Sequence, residues 1–188
     1  MDRRTQRRQL NRAAIQEVAL RLFEQQGYEA TTVAQIAREA GVSHMTFFRC
    51  FPSKEHVVLL DEYDPMLEEL VREQPHTRPA VERIHRATLI GLGRLQEEDR
   101  EALLSRVRLL LSIPALRSRL GENLASASTT FERGLAPRGT ERPGLEVRAV
   151  AAACSAVLST TIVAWAETNG EADLSELVDR AFQALRAP

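Results

Sequence analysis

The chain has 188 residues, 44% of them hydrophobic and 27% charged, which excludes wholesale disorder and suits one large or two small domains with a sizeable core. The formal net charge is −1, but residues 1–54 carry +4 and the remainder −5, so only the front of the chain suits a polyanion. Cys50 and Cys154 form no metal or redox motif and the charged N-terminus lacks the apolar run of a signal peptide, so the expectation is a protein of the reducing cytoplasm with neither metal nor cofactor.

Taken in chain order, Leu10, Ala14, Val18, Leu22 and Phe23 fall on one helical stripe that Gly27 stops. Thr32 opens a second helix with Gln35 three residues later, the spacing of a capping box; Ile36, Ala37 and Ala40 are its inward positions. Gly41 makes a sharp turn, because glycine alone tolerates positive φ cheaply. Ser43 caps a short third helix that Pro52 ends, and Ser53 caps a fourth running to about Glu73. Pro75 and Pro79 mark a break, after which helical patterns occupy residues 79–97, 99–112, 114–134, 145–169 and 173–186. Pro114 suits a helix start, residues 135–144 read as the one long loop, and Asp173 with Glu176 repeats the capping-box spacing. Period-2 alternation never persists, so the prediction is an all-α protein of about nine helices. The apolar stretch "AVAAACSAVLSTTIVAWA", residues 149–166, holds four hydroxyls and is 18 residues long. A span needs about 20, so a buried packing helix is expected and no membrane.

Residues 32–50 read helix, glycine turn, helix, the layout whose second helix enters the DNA major groove. Ala37 is small where the two helices cross. Val42 and Phe47 anchor the second helix, with Phe51 as a further core anchor. His44, Met45, Thr46, Phe48, Arg49 and Cys50 are left to face DNA. Phe48 is the odd one, since adjacent helical side chains do not share a face; an exposed ring there fits a thymine methyl or a sugar edge.

"ATTVAQIAREAGVSHMTFFRCFPSKE", residues 30–55, with "RAAIQEVALRLFEQQGYEATTV", residues 12–33, resembles the N-terminal domain of the TetR family of bacterial repressors. The resemblance implies a DNA-binding domain over residues 1–54 and a helical ligand-binding and dimerisation domain over 55–188. It implies phosphate contacts from Thr32 and Ser43, base reading by His44, Met45 and Thr46, and phosphate or guanine binding by Arg49. Lys54, the only lysine among 25 basic residues, would clamp phosphate. Arg3, Arg4, Arg7 and Arg8 would form a basic arm along the backbone or minor groove. The family usually carries Leu-Tyr or Phe-Tyr where this chain has Phe47-Phe48, and that tyrosine's hydroxyl commonly reaches a phosphate; Phe48 has no hydroxyl. Cys50 stands where His or Tyr is common.

Family members place a ligand pocket and a two-helix dimerisation face in the second domain. Residues 145–186 suit that face. Ala149, Ala152, Ala153, Ala156 and Ser159 permit close helix approach, and Leu174, Leu177, Val178, Ala181, Phe182 and Leu185 make a stripe that is either core or interface. "RVRLLLSIPALRSRL", residues 106–120, is similar to a segment of actinobacterial members with an acyl-CoA-like ligand domain. Arg106 and Arg108 are candidates for a phosphate or carboxylate, and Leu109, Leu110, Phe131 and Trp165 for an apolar cavity wall or ordinary core.

The expectation is therefore a homodimeric, ligand-responsive DNA-binding regulator that acts as a repressor on a pseudo-palindromic operator and is released by a small, partly apolar effector. An enzyme is not expected, since His44, His56, His76 and His85 are scattered and the sequence has no HExxH, phosphate loop or nucleophile elbow. The alternative is a helical protein-interaction scaffold without specific DNA binding, which leaves the basic front unexplained.

Overall fold

The computed structural model describes residues 3–59 and 64–186, with the side chains of all these except residues 3–5, 64, 98, 120, 122 and 123. Among the described residues there are eleven α-helices and no strand. They are α1 (Arg3–Gln26), α2 (Val33–Glu39), α3 (His44–Cys50), α4 (Lys54–Leu59), α5 (Asp64–Glu73), α6 (Ala80–Leu92), α7 (Glu97–Ser112), α8 (Pro114–Arg117), α9 (Leu120–Leu135), α10 (Leu145–Glu167) and α11 (Leu174–Arg186). The chain forms two compact units, Met1–Glu62 with Leu109–Arg117, and Tyr63–Arg108 with Ser118–Pro188.

The all-α reading holds, with one expected helix divided in two. The expected fourth helix corresponds to α4 and α5, with residues 60–63 outside the described residues. The stretch 114–134 is interrupted at Arg119, whose φ of −101° and ψ of 10° leave the helical region before α9 begins. At the front, helix extends back to Arg3, so the basic arm is a continuation of α1; the Arg3 and Arg4 side chains lie outside the described residues.

In the first unit, α1 buries Ile15, Ala19, Leu22 and Phe23 against a core that includes Ile36, Ala37, Phe47, Phe51, Val57, Val58 and Leu116. Leu10, expected on that stripe, is exposed. The inward positions of α1 recur as i, i+4, i+7 and i+8 from Ile15, and this register turns Leu10 to water. Gln16 donates from Nε2 to the Val57 carbonyl at 3.0 Å, fixing α1 to α4.

In the second unit, α9 packs between α5 and α10, while α6 touches α5, α10 and α11. At the α5–α9 crossing a Cβ on Gly134 would lie 2.7 Å from Val71 Cβ and 2.8 Å from the Glu68 carbonyl oxygen, so only glycine permits this approach. Helix α10 follows the expected 145–169 pattern to within two residues. With 23 residues and a mean hydropathy of 1.8 over its most apolar 18-residue window, it is long and apolar enough to cross a membrane by length and composition alone. Its packing supplies another account. It buries Ala151, Cys154, Ser155, Leu158, Thr161 and Trp165 within the unit, and Ser155 Oγ donates to the Leu124 carbonyl at 2.9 Å. Helix α11 splits its expected stripe. Leu174, Val178 and Phe182 are core, whereas Leu177 and Ala181 are half-buried and Leu185 is exposed.

Candidate nucleic-acid interface

Helix α3 has only seven residues, too few for an isolated helix to be stable in water. Its ends are therefore held by neighbours. At the N-terminus Ser43, in extended backbone, accepts a hydrogen bond from the Thr46 amide at 3.1 Å, and the Ser43 and Thr46 hydroxyl oxygens are 2.9 Å apart. Gly41 makes the preceding turn with φ +66°. At the C-terminus Phe51 N–H donates to the Phe47 carbonyl. The exposed carbonyls there are covered from α1, where Arg12 Nη1 donates to the Cys50 oxygen at 2.9 Å and Arg8 Nη2 to the Arg49 oxygen at 3.2 Å. Two cations thus meet the negative end of the helix dipole. The Arg12 guanidinium also lies 4.5 Å from the centre of the Phe51 ring.

Phe47 and Phe51 are wholly buried, as expected of anchors, and with Cys50 they form the inward face of α3. Cys50 was expected to face DNA and does not. It falls three residues after Phe47 on the core side and is 4% exposed. Burial pushes its thiol pKa up, with Arg12 and Arg8 pulling it partly back; burial pushes the Cys154 thiol up to about 12. Neither environment favours a reactive thiolate.

The outward face carries His44, Met45, Phe48 and Arg49, all exposed, with Thr46 half-buried. Met45 is 63% exposed and Phe48 42%, large apolar surfaces at the centre of a solvent face. The Phe48 ring stands edge-on to His44 at 4.8 Å and to Phe47 at 5.4 Å, so its position is set by both neighbours. Thr32 occupies the N-cap of α2 and accepts from the Gln35 amide at 3.2 Å. The Gln35 side chain does not reach back to complete the box. It pairs with Gln26 at 2.8 Å, joining α2 to the end of α1.

Lys54 is half-buried. Its ammonium donates to the carbonyls of Tyr28 at 2.8 Å and Thr31 at 3.1 Å and lies 4.0 Å from the Tyr28 ring centre. Two of its three N–H donors are therefore engaged within the protein.

The ligand candidates do not fall in one unit. Leu109 and Leu110 group with the first, and Arg106, Phe131 and Trp165 with the second. Arg106, Leu110, Phe131 and Trp165 are buried and Leu109 is half-buried. Trp165 Nε1 donates to the Ala172 carbonyl at 3.1 Å, which anchors the turn between α10 and α11. Arg108 binds the Asn169 backbone and side chain.

On the second unit Ala149, Ala152, Ala153, Ala156, Thr160 and Ala164 line one exposed face of α10. A groove of about 570 Å³ between α10 and α11 is walled by Ala156, Val157, Thr160, Ala164, Leu177, Ala181 and Ala184, with Arg180 at its edge. This is a larger continuous apolar surface than scattered surface residues give.

Residues 15–60 match the model of the bacterial regulatory proteins of the tetR family, and residues 78–188 match the MftR C-terminal domain. The chain belongs to the TetR family. The HTH-type transcriptional regulator TcmR of Streptomyces glaucescens is 32% identical to it over 184 residues, covering 89% of this chain and 79% of TcmR. The crystal structure of Thermus thermophilus FadR, a TetR-family transcriptional repressor in complex with lauroyl-CoA, superposes with a TM-score of 0.56 at 26% identity over 93% of this chain and 92% of FadR. FadR from Bacillus halodurans, a fatty acid degradation regulator, gives 0.55 at 21% identity over 93% and 94%. A TetR-family regulator binds DNA through its helix-turn-helix, and here α2, the Gly41 turn and α3 supply it.

Sequence reading missed Arg8 and Arg12 as holders of the recognition helix. Their spacing of four residues put them on one face of α1; what they would meet was not visible without the fold.

Proposed function

We propose that this TetR-family protein is a dimeric repressor of a pseudo-palindromic operator, released by a small, partly apolar effector. The observation that carries the DNA reading is the outward face of α3, where His44, Met45, Phe48 and Arg49 stand exposed on a helix fixed at both ends. His44 and Met45 read base edges, Arg49 binds phosphate or guanine, and Thr32 and Ser43 approach phosphates at the two helix starts. Phosphate contacts set the register while base contacts supply the sequence preference.

The apolar face of α10 and α11 supports self-association, because two copies meeting there would bury it in a four-helix bundle. The twofold axis then sets two α3 helices on half-sites about 34–36 Å apart or a multiple of that. The FadR resemblance supports an effector with a long acyl chain and a charged head, with Arg106, Phe131 and Trp165 as candidate contacts in the second unit. Such an effector acts only by as much as it prefers the non-binding conformation. The site of action is the cytoplasm, where the DNA is.

Selection from a random-sequence duplex pool tests this reading. The expected result is an enriched pseudo-palindrome whose complex is weakened by lauroyl-CoA and not by lauric acid or CoA alone. Failure to enrich any sequence would overturn the DNA reading, and indifference to acyl-CoA would overturn the effector class.

A further inference from the structure

The turn between α10 and α11 holds Asn169, the only non-glycine residue with positive φ among the described residues, at +56°, followed by Gly170 at +78°. We propose that Asn169 is a site of self-modification. The Gly170 amide nitrogen closes on the Asn169 side chain and converts it to aspartate and isoaspartate, and Arg108 is the latch that slows the reaction. The proposal does not depend on the DNA-binding reading.

The fold explains why this pair of residues stands here. Helix α10 is capped at Thr168, and two bonds close its last turn. Gly170 N–H donates to the Trp165 carbonyl and Asn169 N–H to the Ala166 carbonyl, both at 3.0 Å. This closure needs a left-handed residue after the cap, which asparagine tolerates better than most side chains. A Cβ on Gly170 would lie 2.8 Å from Leu104 Cδ2, and the positive φ there also favours glycine. Packing therefore places an amide side chain directly before a residue that has none. That order is the reactive one, because nothing on Gly170 shields its nitrogen. Asn11 and Asn123, the chain's other asparagines, precede arginine and leucine and lie within α1 and α9.

The reaction needs only water. The Gly170 nitrogen gives its proton to hydroxide and attacks Asn169 Cγ. A C–N bond forms, the bond from Cγ to Nδ2 breaks, and Nδ2 takes a proton from water and leaves as ammonia. The five-membered imide then takes up one water. Opening at Cγ restores the chain with an aspartate. Opening at the Asn169 backbone carbonyl carbon leaves an isoaspartate, with one more methylene in the backbone. Nothing is oxidised or reduced, and each product adds one negative charge.

The closed turn restrains both reacting atoms. The nucleophile is committed to the Trp165 carbonyl. The electrophile is tethered, because Arg108 Nη2 donates to Asn169 Oδ1 at 3.0 Å and to the Asn169 backbone oxygen at 3.3 Å. Asn169 is exposed, so hydroxide and water reach it, and hydrogen bonds at a solvent-exposed helix end open more readily than those of a core. The rate is then set by how often the cap opens and Arg108 lets go. Aspartate would keep the backbone and turn the Arg108 contact into a charge-assisted bond. Isoaspartate would not, since its longer backbone carries the Gly170 N–H away from the Trp165 carbonyl.

The experiment incubates the full chain at pH 8 as wild type, Arg108→Met and Asn169→Gly, with wild type unfolded in guanidinium chloride alongside. Peptide mapping by mass spectrometry counts aspartate and isoaspartate at each asparagine. In folded wild type, conversion at Asn169 is expected well ahead of Asn11 and Asn123, to both products, and faster as pH rises. Arg108→Met should react about fivefold faster, as loss of one hydrogen bond from the closed turn implies, and the unfolded chain faster still. Asn169→Gly should keep the wild-type circular dichroism and show no conversion at position 169. An intact Asn169 in folded wild type, beside conversion in the unfolded chain, would overturn the site, and that comparison holds whether or not the Arg108 variant folds. A folded Arg108→Met protein that converts no faster than wild type would overturn the latch.

Discussion

Lys54 sets its ammonium nitrogen 2.8 Å from the Tyr28 carbonyl oxygen, above that residue's own ring. The lysine at the start of α4 thereby closes the loop between α1 and α2, a task that sequence position alone did not suggest. Replacing it with methionine keeps the apolar stem and removes the donors. The expected result is a loss of about 1–3 kcal/mol in unfolding free energy, measured in urea. The change in salt slope for DNA should be smaller than in Arg49→Ala, because only one Lys54 donor is left for a phosphate. A Lys54→Met protein with wild-type stability and a slope lower by about 0.9 would make the residue a phosphate clamp and nothing more.

The α5–α9 crossing makes a second expectation. Gly134→Ala places a methyl 2.7 Å from Val71 Cβ and 2.8 Å from a backbone oxygen, where neither neighbour is a flexible side-chain end. Overpacking of this kind costs about 1–3 kcal/mol, readable as a lower denaturation midpoint. Gly121→Ala, in the same helix with nothing within 4 Å of the added carbon, serves as the control and should be neutral or slightly stabilising. Equal midpoints for the two variants would show that the helices can part there without loss.

His85 supplies a pH dependence. It is buried on α6, stacked on Phe182 at 4.8 Å, with Nδ1 3.2 Å from Arg186 Nη2 and Nε2 3.2 Å from an Asp179 carboxylate oxygen. Desolvation lowers its pKa from 6.5, Arg186 and Arg86 lower it further, and Asp179 and Glu82 oppose them. The folded state therefore holds the ring neutral where the unfolded chain takes up a proton. The sign follows: stability contributed by this site is present above the unfolded value of about 6.5 and is lost as pH falls through it toward the folded value. Unfolding free energies measured from pH 8 to pH 5 should fall more steeply for wild type than for His85→Gln. Parallel curves would show that Asp179 offsets the burial.

The self-association face separates two residues that the α10 and α11 patterns made equivalent. Ala153 is exposed, whereas Val178 is wholly buried within the unit. Ala153→Glu should leave circular dichroism intact and halve the mass seen by sedimentation. Val178→Glu should unfold or precipitate the second unit, since an unpaired charge in a core is costly. A dimeric Ala153→Glu protein would move the interface elsewhere.

Local signals carried much of this into the sequence. Glycine turns, Ser43, Thr32 and Asp173 marked helix starts that recur in the structure within a residue, because a cap is a short-range hydrogen bond: the Ser43, Thr32 and Asp173 side chains accept amides three residues on. Cys50 and Leu10 were misplaced because a stripe on a short or terminal helix tolerates a rotation by one position. The partners in the Arg8 and Arg12 bonds to the end of α3 and in the Lys54 contacts lie 23–41 residues apart in sequence, and no periodicity encodes a pairing over that distance. The α11 stripe was legible as apolar, but its division between core and open face depends on how α6 and α10 sit beside it.

Phe48 gives the last test. Its ring is pinned edge-on between His44 and Phe47. Two roles compete for it on DNA: a ring edge against the sugar-phosphate backbone, or a ring packed on a thymine methyl. Phe48→Tyr adds one hydroxyl at the ring tip, which the two flanking rings leave in place. Beside a phosphate it gains a charge-assisted hydrogen bond, and affinity should rise by about 1 kcal/mol on operator and scrambled duplex alike. Beside a thymine methyl the hydroxyl is desolvated without a partner, and only operator binding should fall. The pinned ring stands on the same helix as Arg49, so the expected outcome is the uniform gain. A loss confined to the operator duplex in a paired titration would instead make Phe48 a reader of sequence.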